Sequence, residues 1–159
     1  MEANSVAADS RRAGEIDMRI LDGVVGYWLR RASHVIATDY SMKVKETAGL
    51  RSVQVSILAV VGANPGISQT QLGRSLGVQR ANMVPLLASL IEDGLLRREA
   101  SAEDKRVLEL YPTSAGEAKL HVAMTLIDQH ENALLAALTA EERRTIIQLL
   151  AKIAEAGTE

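Results

Sequence analysis

Three helix-stopping sites divide the middle of this 159-residue chain. They are Asn64-Pro65-Gly66, Gly77 and Gly94, and each carries a glycine of the kind that ends helices in a left-handed conformation. Between the first two sites, Leu72 and Leu76 are spaced as on one face of a helix. Between the second two, apolar residues recur three and four apart, at Met83, Leu86, Leu87, Leu90 and Ile91. The sequence therefore predicts two short helices joined by a tight turn at Gly77.

Long amphipathic helices are predicted on both sides of this middle segment. From Glu15 to about Glu46, apolar residues recur at the same helical spacings. Towards the other end, Thr113 and Ser114 precede Glu117, and Thr139 precedes Glu142, which predicts a capping box at the start of each of two helices. These two helices should run over about 115–138 and up to the region of Ala156. Helices of this length suggest a scaffold or an interface.

Two short strands are predicted after Gly94. Leu95–Glu99 and Val107–Tyr111 flank a charged loop, which indicates a β-hairpin. The helix ahead of it should span about Gln79–Asp93. Two short helices joined by a glycine-containing turn are typical of a helix-turn-helix. The predicted fold is thus mainly helical, with a helix-turn-helix followed by a small β-hairpin wing.

Composition excludes several classes of site. The chain has no cysteine, which rules out disulfides, zinc–cysteine centres and thiol chemistry. Its histidines, His34, His121 and His130, are not at the close spacing of helical metal motifs, and no nucleophile stands beside a base. No long apolar stretch predicts a membrane span or a secretory signal. We therefore expect a cytoplasmic protein that is not an enzyme and has no cofactor or metal.

Positive charge is concentrated in the middle of the chain. The formal net charge is −2, yet five arginines against two acidic residues leave +3 between Leu50 and Arg98. Such a cluster predicts binding to double-stranded DNA. Three arginines are candidate phosphate contacts: Arg74, Arg97 and Arg98. Three residues at the start of the second short helix are candidates to read base edges in the major groove: Gln79, Arg80 and Asn82.

Several local strings resemble those of the MarR (multiple antibiotic resistance regulator) family. Leu50-x-x-x-Gln54-x-x-x-Leu58 is similar to the second helix of the family. The segment from Ser68 to Val78 is similar to the first helix of the family's helix-turn-helix. Leu90-x-x-x-Gly94-Leu95-Leu96-x-Arg98 is similar to the exit of its recognition helix. The most specific match is Asp104-Lys105-Arg106 followed by Thr113-x-x-Gly116. The resemblance covers about residues 16–156 and implies a winged helix-turn-helix fold.

For the wing, the resemblance implies that Asp104 holds the guanidinium of Arg106 by a bidentate pair. A cation at the tip of a hairpin can enter the narrow minor groove, where the potential is most negative, and we expect Arg106 to take this role, with Lys105 as a further DNA contact. The alternative is a solvated charged loop. The sequence also departs from the family pattern at Gln79, at Pro112 and at Pro85, whose ring removes one backbone hydrogen bond and can bend the recognition helix.

The resemblance further implies a two-fold homodimer on a palindromic operator. The corresponding organisation is a flexible tail at 1–14, a dimerisation helix at 15–49, a winged helix-turn-helix at 50–112 and dimerisation helices at 113–159. Family members bind small aromatic ligands between the dimerisation helices and the DNA-binding region, and ligand binding weakens their affinity for DNA. The function implied is a ligand-responsive transcriptional regulator, a repressor released by a small aromatic acid or its coenzyme A thioester. A helical interaction protein and a metal-responsive regulator, using His121, His130 and Glu131, remain alternatives.

Candidate effector-binding residues follow from an apolar stripe that includes a cation. Arg31 lies three and four residues from Trp28 and Val35, and could pair with a carboxylate or phosphate. The full candidate set is Tyr27, Trp28, Arg31, His34, Val35, Ser56 and Met124. Ser56 and Met124, together with His121, could line the opposite wall of the pocket. Arg19, Arg30 and Arg51 could add positive charge for coenzyme A at the pocket mouth. The alternative is that Arg31 extends to solvent or pairs with Asp39 or Asp128.

Overall fold

The computed structural model describes residues 16–156, so the tail predicted at 1–14 lies outside the described residues. The chain divides into two units, the first ending at Val35 and the second beginning at Ile36. A 3₁₀ turn at Arg19–Leu21 precedes helix α1, Val25–Tyr40, whose last five residues belong to the second unit. The prediction that α1 starts at Glu15 is wrong, because Asp22 and Gly23, both poor helix formers, separate the turn from the helix.

Helix α1 does not end at Tyr40 but changes its hydrogen-bond pattern there. A π-helical turn, Ser41–Lys45, leads into a last α-helical turn, Glu46–Ala48. The turn ends at Gly49, whose φ of 66° is left-handed. The C-terminal part of the helix buries Val44 and Ala48 and is thereby fixed to the core of the second unit.

The predicted helix-turn-helix is confirmed. Helix α2, Ser52–Ala63, is followed by α3, Gln69–Ser75, and α4, Arg80–Glu92. Ser68 caps α3 by accepting a hydrogen bond from the Gln71 backbone at 3.3 Å, while the Gln71 side chain accepts from the Ser68 backbone at 3.0 Å. Helix α4 continues through Pro85 as one helix.

The wing belongs to a three-stranded antiparallel sheet. Strand β1, Ile67–Ser68, pairs with β3, Leu108–Pro112, which pairs on its other edge with β2, Leu96–Ala100. In this register Leu110 faces Ile67 on one side and Arg98 on the other. The two hairpin strands lie one residue beyond their predicted bounds. Strand β1 was not predicted, because two residues carry no periodicity.

Helices α5, Ser114–Leu134, and α6, Ala140–Ala156, complete the chain. At Thr139 the predicted capping box with Glu142 forms. Thr113 caps α5 as predicted, but its hydroxyl accepts from the Gly116 backbone, at 3.0 Å, rather than from that of Glu117, and donates to the Gly94 carbonyl at 2.7 Å. Helix α5 also ends at Leu134, before the predicted position 138. The C-terminal end of α5 accepts a hydrogen bond from a side chain of α6.

That side chain is Arg143. It donates to the Asn132 side chain at 2.7 Å and to the Leu135 carbonyl at 2.8 Å, which fixes the corner between α5 and α6. The core lies among α2, α3, α4, the sheet and α5. Its largest fully buried side chains are aliphatic: Val44, Leu50, Ile57, Val61, Leu72, Met83, Leu87, Leu90, Leu96 and Leu110. This core positions the helix-turn-helix against the sheet.

A buried polar pair joins the C-terminal half of α1 to α5. His130, 3 % exposed, contacts Asp39 through Nδ1 and Oδ2 at 2.6 Å, and Lys43 contacts the other carboxylate oxygen of Asp39 at 2.9 Å. The Lys43 hydrogen bond, assisted by His130 and opposed by desolvation, lowers the pKa of Asp39. Asp39 is engaged by these two partners and Arg31 by the Tyr27 hydroxyl, so the alternative in which Arg31 pairs with Asp39 is wrong.

Asp39→Asn is expected to destabilise the protein most at neutral pH. A carboxylate whose folded pKa is below its unfolded pKa contributes stability above the unfolded value, near pH 4, and loses it as the pH falls through the folded value. The difference between wild type and variant in free energy of unfolding should therefore shrink on acidification. Urea titrations at about pH 7 and about pH 3.5 measure it. A difference that grows on acidification contradicts this assignment.

Candidate nucleic-acid interface

Helix α4 presents one face to the core and the other to solvent. Met83, Leu87 and Leu90 are buried, whereas Arg80 and Asn82 are exposed in the first turn. Gln79 is the N-cap residue, and its side chain makes no capping hydrogen bond. The three side chains predicted to read bases therefore stand together at the exposed N-terminal end of this helix. That end is the part of a recognition helix that meets base edges.

The pair predicted at the wing forms. Arg106 donates through Nε to Oδ1 of Asp104 and through a terminal nitrogen to Oδ2, both at 3.1 Å. The Arg106 guanidinium, with its backbone N–H, lowers the pKa of Asp104. The Arg106 side chain is nevertheless 90 % exposed. The carboxylate thus orients the cation while leaving it accessible, and Lys105 lies next to it in the same loop.

Recognition helix and wing border one groove of about 410 Å³. Arg80 and Arg106 both line it, with Ser68, Gln69 and Thr70 from the start of α3. We call this the wing groove. Two predicted DNA-binding arginines from different elements thus reach the same concave surface. Its hydroxyl, amide and guanidinium groups are donors suited to phosphate oxygens and base edges.

Arg97 stands apart from the other predicted phosphate contacts. Its guanidinium lies 4.5 Å from the centroid of the Tyr111 ring and forms an ion pair with Glu99. The Tyr111 hydroxyl in turn donates to Glu109 at 2.8 Å. Arg97 is therefore engaged within the sheet. Two other arginines of the predicted set, Arg74 in the last turn of α3 and Arg98 on β2, are exposed.

A link between α2 and α4 was not predicted from the sequence. Gln54, 8 % exposed, accepts from the Arg51 backbone at 2.9 Å and donates to the Ser89 hydroxyl at 3.3 Å. Arg51 and Gln54 line a second groove, of about 390 Å³, with Asn82, Pro85, Leu86 and Ser89. We call it the helix groove. Arg51, expected near an effector, thus lies beside the recognition helix. The sequence feature that could have indicated the link between α2 and α4 was the polar Gln54 within the Leu50-x-x-x-Gln54 string.

Five of the predicted effector residues lie on α1 in the first unit. Arg31 donates to the Tyr27 hydroxyl at 3.0 Å, and its guanidinium lies 5.8 Å and 5.7 Å from the ring centroids of Tyr27 and Trp28. The Trp28 indole donates to the Asp22 carbonyl at 3.0 Å. His34 and Val35 are exposed on the same helix. The cation and both aromatic rings form one cluster.

The other two predicted effector residues lie in the second unit. Ser56 on α2 donates to the Ser52 carbonyl at 3.2 Å. Met124 on α5, 48 % exposed, lines a shallow groove of about 380 Å³ with His121, Leu120, Glu117, Ala59, Gly62 and Ala63. His121, named beside the candidate set, thus shares a groove with Met124. Ser56 does not line that groove.

Among residues 16–156, no three His, Asp or Glu side chains are grouped where they could hold a metal ion. No helix in this range is both long and apolar enough to cross a membrane.

A helix-turn-helix followed by a hairpin on a three-stranded sheet defines a winged-helix DNA-binding protein. More narrowly, the chain belongs to the MarR family, whose model matches residues 48–107. The transcriptional regulator HosA of Escherichia coli O157:H7 is 32 % identical over 108 residues, 68 % of this chain and 80 % of HosA. A regulatory protein described for the hcr operon of Thauera aromatica is 29 % identical over 131 residues, 82 % of this chain and 79 % of that protein.

Among solved structures, the transcriptional repressor CouR bound to a 23-mer DNA duplex has a TM-score of 0.83 and 34 % identity, covering 88 % of this chain and 99 % of CouR. CouR bound to p-coumaroyl-CoA has a TM-score of 0.76 and 33 % identity, covering 88 % and 98 %. These relatives are transcriptional regulators rather than enzymes, as the sequence predicted. The winged-helix fold predicted from the sequence is likewise confirmed.

Proposed function

We propose that this protein is a homodimeric repressor that binds a palindromic operator and is released by a small aromatic acid or its coenzyme A thioester. The observation that carries the DNA-binding part is the wing groove, where Arg80 of α4 and Arg106 of the wing meet. Arg80 belongs to the segment between Leu50 and Arg98 that is basic within an otherwise acidic chain, and Arg106 follows this segment in the wing. A protein with this function acts in the bacterial cytoplasm, where the chromosome lies.

Within the proposed interface, roles divide by position. Gln79, Arg80 and Asn82 read base edges, because they stand at the N-terminal end of the recognition helix. Arg106, oriented by Asp104, enters the minor groove, with Lys105 beside it. Arg74 and Arg98 contact phosphates. Arg97 acts mainly by holding Tyr111 in the wing sheet, since its charge is already paired there.

The proposed dimer rests on two helices that have no buried residue, α1 and α6. Both nevertheless expose large apolar side chains: Val25, Trp28, Val35 and Ile36 on α1, and Ile146, Ile147, Leu149, Leu150 and Ile153 on α6. Such surfaces are typical of obligate interfaces. We therefore assign residues 15–49 and 113–159 to dimerisation and 50–112 to DNA binding. A two-fold dimer presents its recognition helices to two half-sites of a palindrome.

The effector class rests on the cluster of Arg31 with Tyr27 and Trp28. Aromatic faces suit a planar aromatic ligand, and a guanidinium suits a carboxylate or phosphate. His34 and Val35, on the same helix, are further proposed contacts, and Arg19 and Arg30 are further cations for coenzyme A, while Ser56 and Met124 are proposed separately within the second unit. CouR, which is 33 % identical, has been solved with p-coumaroyl-CoA. That ligand is therefore the first thioester to test.

The test is release of a preformed complex with the DNA upstream of the protein's own gene. p-Coumarate, p-coumaroyl-CoA and coenzyme A alone are added in parallel to the protein and fluorescent duplex. Release by the acid or the thioester, but not by coenzyme A, supports the proposal. Arg31→Gln should then require about tenfold more effector, because one charge-assisted pair is lost. A complex that survives both aromatic compounds contradicts the effector assignment and leaves DNA binding intact.

A further inference from the structure

The exposed face of the recognition helix is apolar in its middle. Successive residues of an α-helix turn by about 100°, which places Arg80, Val84, Ala81, Pro85 and Asn82 in this order around α4. All five are exposed, and the Val84 side chain is 52 % exposed. Ala81, Val84 and Pro85 therefore form an apolar strip, bordered by Arg80 on one side and Asn82 on the other.

The strip is not part of the protein core. The side of α4 that packs inward consists of Met83, Leu87 and Leu90, all of which are buried. The two acidic residues of this region, Glu92 and Asp93, lie at the C-terminal end of the helix, away from the strip. The helix thus has a second apolar surface that faces solvent, and the two carboxylates at its own C-terminal end lie away from that surface.

The surroundings of the strip favour DNA as its partner. The wing groove, with Arg80 and Arg106, borders α4 on one side, and the helix groove, with Arg51 and Asn82, borders it on the other. Each groove supplies at least one guanidinium, so the strip is flanked by positive charge that fits the two phosphate backbones of a major groove. Three small side chains are too little surface for a protein interface of ordinary size.

The apolar feature of the major groove is the 5-methyl group of thymine. We propose that Val84 and Pro85, with Ala81 between them, contact thymine methyl groups and so select thymine at the centre of each operator half-site. This assignment rests on the proposed DNA-binding function. Ordering these side chains costs almost no entropy, because alanine and proline have no rotamers to lose and valine in a helix has one dominant rotamer.

The assignment also gives Pro85 a role. Its side chain is a closed ring of methylene groups, so it presents a rigid apolar surface where another residue would place a flexible or polar side chain. Arg80 and Asn82 then read the bases beside the thymines, guanine and adenine being their usual partners. Half-sites selected by this protein should therefore carry thymine next to a purine read by one of these two residues.

The test uses a duplex that the full-length protein selects from a random pool. Each thymine is replaced in turn by deoxyuridine, which removes only the methyl group. We expect a three- to fivefold loss of affinity at about one or two positions per half-site, as for one buried methyl group. Val84→Ala should weaken binding to the thymine duplex by a similar factor. It should also abolish the response to deoxyuridine at one position, and Pro85→Ala should do so at another.

Glu92→Gln is the matched control, because it changes an exposed residue of the same helix, away from the strip, and should leave the deoxyuridine response unchanged. Circular dichroism melting shows whether each exposed variant folds as the wild type does. If a duplex is selected but every deoxyuridine duplex binds like its parent, or if neither Val84→Ala nor Pro85→Ala alters the response, the methyl assignment is wrong while DNA binding stands. If no duplex is selected, the proposed function itself fails.

Discussion

Gly116→Ala is expected to lower the free energy of unfolding by about 3 kcal/mol, because the added methyl group has no space. A Cβ at this buried position would overlap the carbonyl oxygen of Leu95 and lie 3.0 Å from its carbonyl carbon. Leu95 cannot move away easily, since its carbonyl also accepts a hydrogen bond from the Thr113 backbone at 3.3 Å. The first turn of α5 therefore packs directly on the backbone that leads into the wing.

Gly62→Ala is the matched control for this prediction. Gly62 lies inside α2, and a Cβ there would have no atom within 4 Å. Replacing a helical glycine by alanine should stabilise the protein by about 0.5–1 kcal/mol. Urea denaturation of both variants measures the two effects with opposite signs. A Gly116→Ala protein as stable as the wild type would show that the two backbone segments are not in close contact.

Arg106→Ala is expected to weaken DNA binding by about ten- to a hundredfold without changing stability. The side chain is 90 % exposed and is oriented by Asp104, so its removal leaves no cavity but deletes the cation at the wing tip. The slope of log affinity against log salt concentration should fall by about one, as for one lost ionic contact. Fluorescence anisotropy across a salt series measures both quantities.

Asp104→Ala separates positioning of the cation from its charge. The variant keeps Arg106 but loses the carboxylate that holds its guanidinium, so it should bind DNA less tightly than the wild type and more tightly than Arg106→Ala. The double variant should bind like Arg106→Ala, because Asp104 then has nothing to orient. Equal DNA affinities of Arg106→Ala and the wild type would remove the wing from the interface.

Local signals in the sequence predicted most of the fold. Gly77 and Gly94 have φ values of 62° and 68°, the left-handed conformation expected after a helix. The caps at Ser68 and Thr139 form as their spacing indicates, because a capping bond depends on residues three apart. Local sequence patterns were also sufficient to predict the two strands of the hairpin. By contrast, β1 owes its strand conformation to pairing with β3, which no local pattern reveals.

The candidate site was only partly predictable, because many of its contacts join residues that are far apart in the sequence. Arg97 was chosen for its charge, but its contacts with Tyr111 and Glu99 depend on strand register and facing side chains. The Gln54–Ser89 bond and the Asp39–His130 pair each join residues far apart in the sequence. Exposure of Val84 likewise follows from how α4 packs. The sequence indicated which residue types were available, while tertiary contacts decided which of them are free to bind.

We propose that this chain binds a specific DNA sequence through the wing and recognition helix. The most direct measurement is a fluorescence-anisotropy titration against the DNA upstream of its own gene and against a shuffled duplex of the same composition, at several salt concentrations. We expect tighter binding to the upstream DNA by about a thousandfold or more, with affinity for both falling steeply as salt rises. Equal affinity for the two duplexes, or none for either, would contradict the claim.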